Sequence, residues 1–135
     1  MNHTITTKYL GGLRCELVHL KSQSTILTDA PIDNKGKGEA FSPTDLLSVS
    51  LASCILTTMG IVADTKGFKI DGAFCQVTKI MNPNPRKIAE IKVEITFAKN
   101  DFDDKTKQIL NHIVHNCPVA LSLHPDIKKT VTLNF

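Results

Sequence analysis

Residues 42–67 read SPTDLLSVSLASCILTTMGIVADTKG, and this stretch decides the fold. Ser42 is suited to cap a helix, because its hydroxyl can accept a hydrogen bond from the first turn. Pro43 is favoured as the first helical residue, and Gly67 is a natural C-terminal stop. The pattern therefore predicts a long helix from Pro43 to about Lys66.

This helix is apolar on more than one face. Residues 46–63 carry no charge, yet they include several Ser and Thr residues and barely reach the length that a bilayer needs. We therefore interpret the segment as a buried helix and expect no membrane contact. Because a small sheet covers only one side of a helix, we expect a second copy of the chain to cover the rest, in a homodimer.

The rest of the chain predicts strands and one further helix. The predicted strands lie within 4–28, split by Gly11-Gly12, and at 69–81, 87–98 and 130–135, and the second helix spans 101–116. The order is βββ-α-ββ-α-β, which indicates an α+β fold in a single domain over residues 1–135.

The strand at 87–98 alternates between apolar and polar residues from Ala89 to Phe97, which is typical of a half-buried antiparallel strand. Its predicted buried face comprises Ala89, Ile91, Val93, Ile95 and Phe97.

Composition argues against several classes of function. The net charge of +3 is small and the basic residues are scattered, so we expect no nucleic-acid partner. The N-terminal residues lack a signal-peptide pattern, and the four cysteines are far apart. We therefore expect a cytoplasmic protein whose thiols are reduced at rest, in which any disulfide is catalytic.

Three histidines and one cysteine resemble metal ligands by residue type: His112, His115, Cys117 and His124. Their spacing forms no tight ligand set, so we expect neither a metal nor another cofactor.

Cys54 lies in the middle of the apolar helix and has two interpretations. It is either a small core residue or a nucleophile kept away from water. The helix dipole acts mainly within the first turn, about three turns away, and burial alone raises the pKa of a thiol. A reactive Cys54 would therefore need a cation from elsewhere in the fold.

Cys117 directly precedes Pro118, and proline disfavours a helical conformation in the residue before it. Either Cys117 caps a short helix over 118–124, where backbone N–H groups favour a thiolate, or it lies at a kink in a longer helix.

Arg14 is the candidate for a permanent cation near a thiolate, although its position in a strand also suits a surface residue. Arg86 is the only other arginine, and its place after NPNP indicates a strand edge in solvent.

Two motifs carry a resemblance to a known family. FSPTDLLSVSLASC at residues 41–54 and NCPV at residues 116–119, together with GGLR and the TDAP loop, resemble the OsmC/Ohr family of osmotically inducible and organic hydroperoxide resistance proteins. The resemblance implies an intertwined homodimer with two antiparallel sheets around central helices, an arrangement that agrees with the unpaired apolar face of the long helix.

The resemblance also implies a two-cysteine peroxidase that reduces organic hydroperoxides. In it Cys54 would attack the peroxide, Cys117 would resolve the sulfenate as a disulfide, and Arg14 would be the catalytic arginine. The disulfide would be reduced by an external dithiol, such as a lipoylated protein. The alternative is a thiol-based sensing or binding protein of the same fold without efficient turnover.

The sequence departs from the best-characterised subfamily at one position. There a glutamate follows the proline and braces the arginine, whereas this chain has Thr44, with Asp45 next. Asp45 either takes over the bracing role or only completes the capping box with Ser42.

Overall fold

The long helix, α1, spans Pro43–Lys66 in the computed structural model, which describes residues 2–135, and its predicted ends are confirmed. A capping box holds its N-terminus. The Asp45 N–H donates to Ser42 Oγ at 3.0 Å, and the Ser42 N–H donates to Asp45 Oδ2 at 2.9 Å. At the other end Gly67 has a φ of 82°, a left-handed conformation that ends the helix at low cost.

The described residues form two compact units. The first comprises the residues up to Leu47 and the second comprises Ser48–Phe135, so that the division falls within α1. The single domain over residues 1–135 stays a prediction.

The first unit contains an antiparallel sheet of three strands in the order β1-β2-β3. The strands are β1 (Ile5–Gly11), β2 (Arg14–His19) and β3 (Ser24–Asp29). Gly11 and Gly12 both have positive φ, at 86° and 61°, which is the conformation that the turn between β1 and β2 requires. The predicted hairpin is confirmed.

The loop after β3 is tied closely to its own strand. It includes a 3₁₀ turn at Ile32–Asn34, and Gly36 lies so close to Ala30 that a Cβ at Gly36 would stand 1.6 Å from the Ala30 oxygen. The loop therefore requires a residue without a side chain at this position.

The second unit contains a sheet of three strands and two helices after α1. They are β4 (Phe74–Pro83), β5 (Arg86–Thr96), α2 (Asp104–Ile113), α3 (Pro118–Ser122) and β6 (Lys128–Asn134). The predicted order of elements is confirmed, with α3 added before the last strand. The prediction of a strand at 69–81 was too early at its start, and that of a helix at 101–116 was too long at both ends.

The prediction of two antiparallel sheets is right for the first sheet and wrong for the second. The second sheet has the order β4-β5-β6, with β4 antiparallel to β5 but β6 parallel to it. The reason is the connection: α2 and α3 form a crossover that returns the chain to the sheet in the direction of β5.

The core of the second unit is formed by side chains from α1, β5 and α2. Those at most 1% exposed include Leu51, Ile55, Met59, Ile91, Val93, Ile95 and Leu110. The alternation predicted for β5 is confirmed from Ile91 to Phe97. It is wrong at Ala89, because a β-bulge shifts the register there, so that Ile88 is the buried residue at 5% exposed.

One row of α1 residues stays exposed in the single chain. Val49, Ser53, Thr57 and Ile61 follow at intervals of four, and Ile61 is 63% exposed. Among the described helices, α1 alone is long and apolar enough to cross a membrane, with a mean hydropathy of 2.0. This is weak evidence, since core helices of soluble proteins meet the same criterion.

The bulge in β5 generates a test of the core. Ile88→Ala should lower the free energy of unfolding by about 2–5 kcal/mol, because it deletes buried methyl groups and leaves a cavity. The neighbouring Lys87→Ala should change it by about 0.5 kcal/mol or less, because Lys87 is half exposed and its ion pair with Asp126 is long, at 3.9 Å. Urea denaturation of both variants measures this. Equal effects would contradict the bulged register.

Candidate active site

Cys54 and Cys117 come from different elements of the second unit. Cys54 lies on α1, directly before the fully buried Ile55, and is itself half-buried. Cys117 is fully buried and is the N-cap of α3, with an extended backbone (φ −73°, ψ 153°) and Pro118 as the first helical residue. The short-helix alternative predicted for Cys117 is therefore the one observed, rather than a kink.

The two cysteines meet at the start of α3. The Val119 N–H donates to Cys54 Sγ at 3.5 Å, and the Cys54 thiol lies close enough to Cys117 to raise the pKa of that thiol. Both cysteines are free thiols in the structure. The fold therefore brings together two sulfur atoms that are far apart in the sequence.

The surroundings of Cys117 favour its neutral form. Burial is the largest cause that raises the pKa of the Cys117 thiol, and the neighbouring Cys54 thiol raises it further. The backbone N–H groups of Ala120 and Val119 oppose this increase but do not outweigh it. Cys117 is therefore a thiol at neutral pH.

The other two cysteines lie on strands. Cys75, on β4, is half-buried against the core, and burial raises the pKa of its thiol. Cys15 lies on β2 and is also half-buried. Neither has a second thiol as a described partner.

Arg14 is held by two carboxylates of the first unit. Its Nε and Nη2 donate to the two carboxylate oxygens of Asp29 at 2.7 and 2.8 Å, and Nη2 also donates to Glu39 Oε2 at 3.0 Å. Asp29 is only 1% exposed. The hydrogen bonds from Arg14 hold the pKa of Asp29 below its usual range, and the two carboxylates raise the pKa of Arg14.

Asp45 and Arg86, the remaining residues considered from the sequence, lie in other surroundings. Asp45 completes the capping box with Ser42, as one of its two interpretations predicted, whereas the carboxylates on Arg14 are Asp29 and Glu39. Arg86 is exposed at the first residue of β5. The catalytic role of Asp45 stays a prediction.

Sequence reasoning did not single out Asp29 and Glu39. The signal for Asp29 was present in the TDAP motif at residues 28–31, where an acidic residue ends a strand that carries no other charge. Because Asp29 pairs directly with Arg14 across β2 and β3, the register of that hairpin would have identified it.

No group of three or more potential metal ligands comes together within residues 2–135. His112, His115 and His124 are all exposed, and His124 is engaged with Asp126.

The chain is similar to a known protein family over most of its length. The sequence profile of the OsmC-like protein family matches residues 36–132. A solved structure of a candidate osmotic stress induced and detoxification response protein from Psychrobacter arcticus 273-4 is 48% identical, with a TM-score of 0.95 over 99% of this chain and 97% of that one.

More distant solved structures share the fold. An OsmC-like protein from Mycoplasma pneumoniae is 22% identical, with a TM-score of 0.77 over 100% of this chain and 99% of that one. The organic hydroperoxide resistance protein OhrB of Bacillus subtilis is 17% identical, with a TM-score of 0.66 over 99% and 98%. A comparison with curated protein sequences gave no match.

The geometry predicts selective alkylation of the thiols. Near pH 7.5, iodoacetamide should modify Cys54 well before Cys117, because Cys117 is fully buried and its raised pKa keeps it protonated. Reaction at Cys117 should become appreciable only above the pH range in which an ordinary cysteine thiol ionises, because the pKa of Cys117 is raised. Timed alkylation with peptide mass mapping measures both. Faster modification of Cys117 than of Cys54 would contradict this assignment.

Proposed function

The chain belongs to the OsmC-like protein family, and on that premise we propose that it is a thiol-dependent peroxidase that reduces organic hydroperoxides to alcohols. The observation that carries the proposal is the meeting of Cys54 and Cys117 at the start of α3. A half-buried sulfur beside a fully buried thiol supplies the two groups that a disulfide-forming peroxidase needs.

In the first step Cys54 is the nucleophile. Its thiolate attacks the outer oxygen of the hydroperoxide, so that a sulfur–oxygen bond forms and the oxygen–oxygen bond breaks. The alkoxide that leaves takes a proton and becomes the alcohol, while Cys54 is oxidised to a sulfenic acid. The proposal assigns Cys54 to this step because it is the less buried of the two sulfurs and accepts the Val119 N–H.

In the second step Cys117 attacks the sulfenic sulfur of Cys54. A disulfide forms, and the sulfenic oxygen leaves as water with the proton of the Cys117 thiol. The buried, protonated Cys117 suits this order of events, because it holds its proton until the sulfenic acid is formed beside it.

Turnover requires a reductant. An external dithiol, such as a lipoylated protein, exchanges with the disulfide and returns both cysteines to thiols. The proposed reaction requires neither a metal nor an organic cofactor, and its reductant places it in a reducing compartment such as the cytoplasm.

Arg14 is the proposed cation of the reaction. A guanidinium that remains charged at all physiological pH values can stabilise both a thiolate and a departing alkoxide. Its bidentate partner Asp29 keeps the guanidinium plane fixed in the first unit. Asp45 is also proposed as a carboxylate of this site, in the bracing role that the resemblance implies. This role would be additional to its place in the capping box.

Organic rather than inorganic peroxides are the proposed substrates. The Bacillus subtilis neighbour is an organic hydroperoxide resistance protein, which favours the same substrate class here. The helix α1 carries no charge from residue 46 to residue 63, and the apolar surroundings that it provides for Cys54 favour a substrate with an organic tail.

We also propose that the protein is a homodimer with α1 in its central layer. The exposed row on α1, which includes Val49 and Ile61, is the surface that a second copy would cover. Sedimentation over a dilution series down to about 1 µM should give the mass of a dimer throughout, because we expect the dissociation constant of the dimer to lie below that concentration. A folded monomer at that concentration would refute the dimer without affecting the chemistry of the cysteines.

Peroxide consumption tests the proposed reaction. With dithiothreitol as reductant, the protein should consume cumene hydroperoxide faster than hydrogen peroxide. Cys54→Ser should abolish consumption, and Cys117→Ser should leave a sulfenic acid trapped on Cys54 after one equivalent of peroxide. Cys75→Ser is the matched control and should retain the wild-type rate, because Cys75 has no second thiol as a described partner.

Oxidation of Cys54 without catalytic turnover would instead support the alternative, a thiol-based sensing or binding protein. Consumption that persists in Cys54→Ser would rule out both.

A further inference from the structure

A cavity lies in the second unit, between the end of α1 and the first two turns of α2. It has a volume of about 280 Å³ and is lined by Lys66, Phe68, Lys105, Thr106 and Ile109. Lys66 is the last residue of α1, whereas Lys105, Thr106 and Ile109 belong to α2. The steps of the proposed peroxidase reaction do not use this cavity.

The aromatic wall of the cavity is held in place by a cluster of rings. The Phe68 ring packs edge-on against Phe102, with 5.7 Å between the ring centroids, and Phe102 packs edge-on against Phe97 at 5.8 Å. Phe97 in turn stacks on Phe135 at 5.2 Å. The Phe68 N–H also donates to the Ala63 carbonyl at 3.0 Å. The ring is therefore positioned before a ligand arrives, which lowers the entropic cost of binding.

The floor of the cavity is apolar. Phe68 and Ile109 pack against the core of the second unit but are only half-buried, so part of their apolar surface lines the cavity. Removal of this surface from water favours a ligand with an apolar body, and an aromatic body can stack on or pack against the Phe68 ring.

The rim of the cavity is positively charged. Lys66 and Lys105 are both exposed and come from different helices. Among the described residues that line the cavity, these two carry a positive charge and none carries a negative one. The rim therefore favours an anionic group above an apolar floor.

Asp103, the carboxylate beside this rim, is engaged with the N-terminus of α2. It is the N-cap and accepts the Thr106 N–H at 2.8 Å, and this hydrogen bond is the largest cause that lowers the pKa of Asp103. The charge of Lys105 lowers that pKa further. Because Asp103 already occupies the helix end, a bound anion would be held by the two lysines and not by the helix N-terminus.

The cavity is separate from the thiol pair. Cys54 precedes Lys66 by 12 residues on the same helix. At the rise of an α-helix this separation is about 18 Å along the axis. A small molecule in the cavity would therefore not contact Cys54.

We propose that this cavity is a binding site for small organic anions with an aromatic or compact apolar body. The ammonium groups of Lys66 and Lys105 hold the anionic group, and the body of the ligand packs on Phe68 and Ile109. Because exposed ion pairs contribute little in water and the apolar floor is small, only a ligand with both parts is retained. The inference does not depend on the proposed peroxidase activity.

Titration with benzoate, followed through the backbone amide signals in proton–nitrogen correlation NMR spectra, tests the site. Benzoate should cause saturable shifts at Phe68, Thr106 and Ile109, with a dissociation constant of about 1 mM or below. Benzyl alcohol lacks the charge and acetate lacks the ring, so each should bind at least about threefold more weakly.

Lysine variants test the role of the rim. Lys66→Gln and Lys105→Gln should each raise the dissociation constant of benzoate about threefold or more, because each removes one of the two charges. Lys128→Gln is the matched control, an exposed lysine at the first residue of β6 and outside the cavity, and should leave the affinity unchanged. Saturating benzoate should also leave the rate of Cys54 alkylation unchanged.

The absence of saturable shifts would overturn the proposal. Equal affinities for benzoate and benzyl alcohol, or a Lys128→Gln effect as large as that of the rim variants, would do the same. Protection of Cys54 from alkylation by benzoate would place the ligand at the thiol pair and would refute a separate site. Since no readout requires peroxide turnover, failure of this proposal and failure of the proposed function can be distinguished.

Discussion

Pro118 is the constraint on which the thiol pair depends. Its ring excludes a helical conformation for Cys117 and presets the first helical residue of α3, so that the chain turns sharply at the cysteine. The first N–H groups of the short helix have no partner within it and would be costly to bury alone. The Val119 N–H is satisfied by the sulfur of Cys54, which links α3 to the long helix α1.

Burial then distinguishes two otherwise similar thiols. Cys117 is closed off from solvent on the inside of the turn, whereas Cys54 remains partly accessible on α1. Since desolvation penalises the charged form, burial raises the pKa of the Cys117 thiol and favours its protonated state. The core that encloses Cys117, formed by α1, β5 and α2, is therefore part of the chemistry as well as of the stability of the second unit.

Local sequence signals predicted those features of the fold that depend on residues close together in the chain. Ser42, Pro43 and Gly67 determine the ends of α1, and the strict alternation in β5 determines most of its buried face. The parallel pairing of β6 could not be predicted in this way, because it depends on where the crossover through α2 and α3 returns the chain. The bulge near Ala89 could not be predicted either, because the alternating pattern assumes a regular strand.

The partners of Arg14 also could not be predicted from local sequence signals. A resemblance to a family indicated where a carboxylate is expected, next to Pro43, but that position holds Thr44. The carboxylates that hold Arg14 come instead from β3 and its loop, through the pairing of Arg14 with Asp29 across two strands. Asp45 could be placed in the capping box from sequence, because that interaction spans only three residues.

The central claim is that Cys54 and Cys117 form one redox pair, and disulfide mapping of the oxidised protein tests it most directly. The wild-type chain is treated with one equivalent of cumene hydroperoxide without reductant, its remaining thiols are blocked, and its peptides are mapped by mass spectrometry. The account predicts a single disulfide between Cys54 and Cys117, with Cys15 and Cys75 recovered as blocked thiols. A disulfide of Cys54 with Cys75 or Cys15, or Cys117 recovered as a blocked thiol beside an oxidised Cys54, would contradict it.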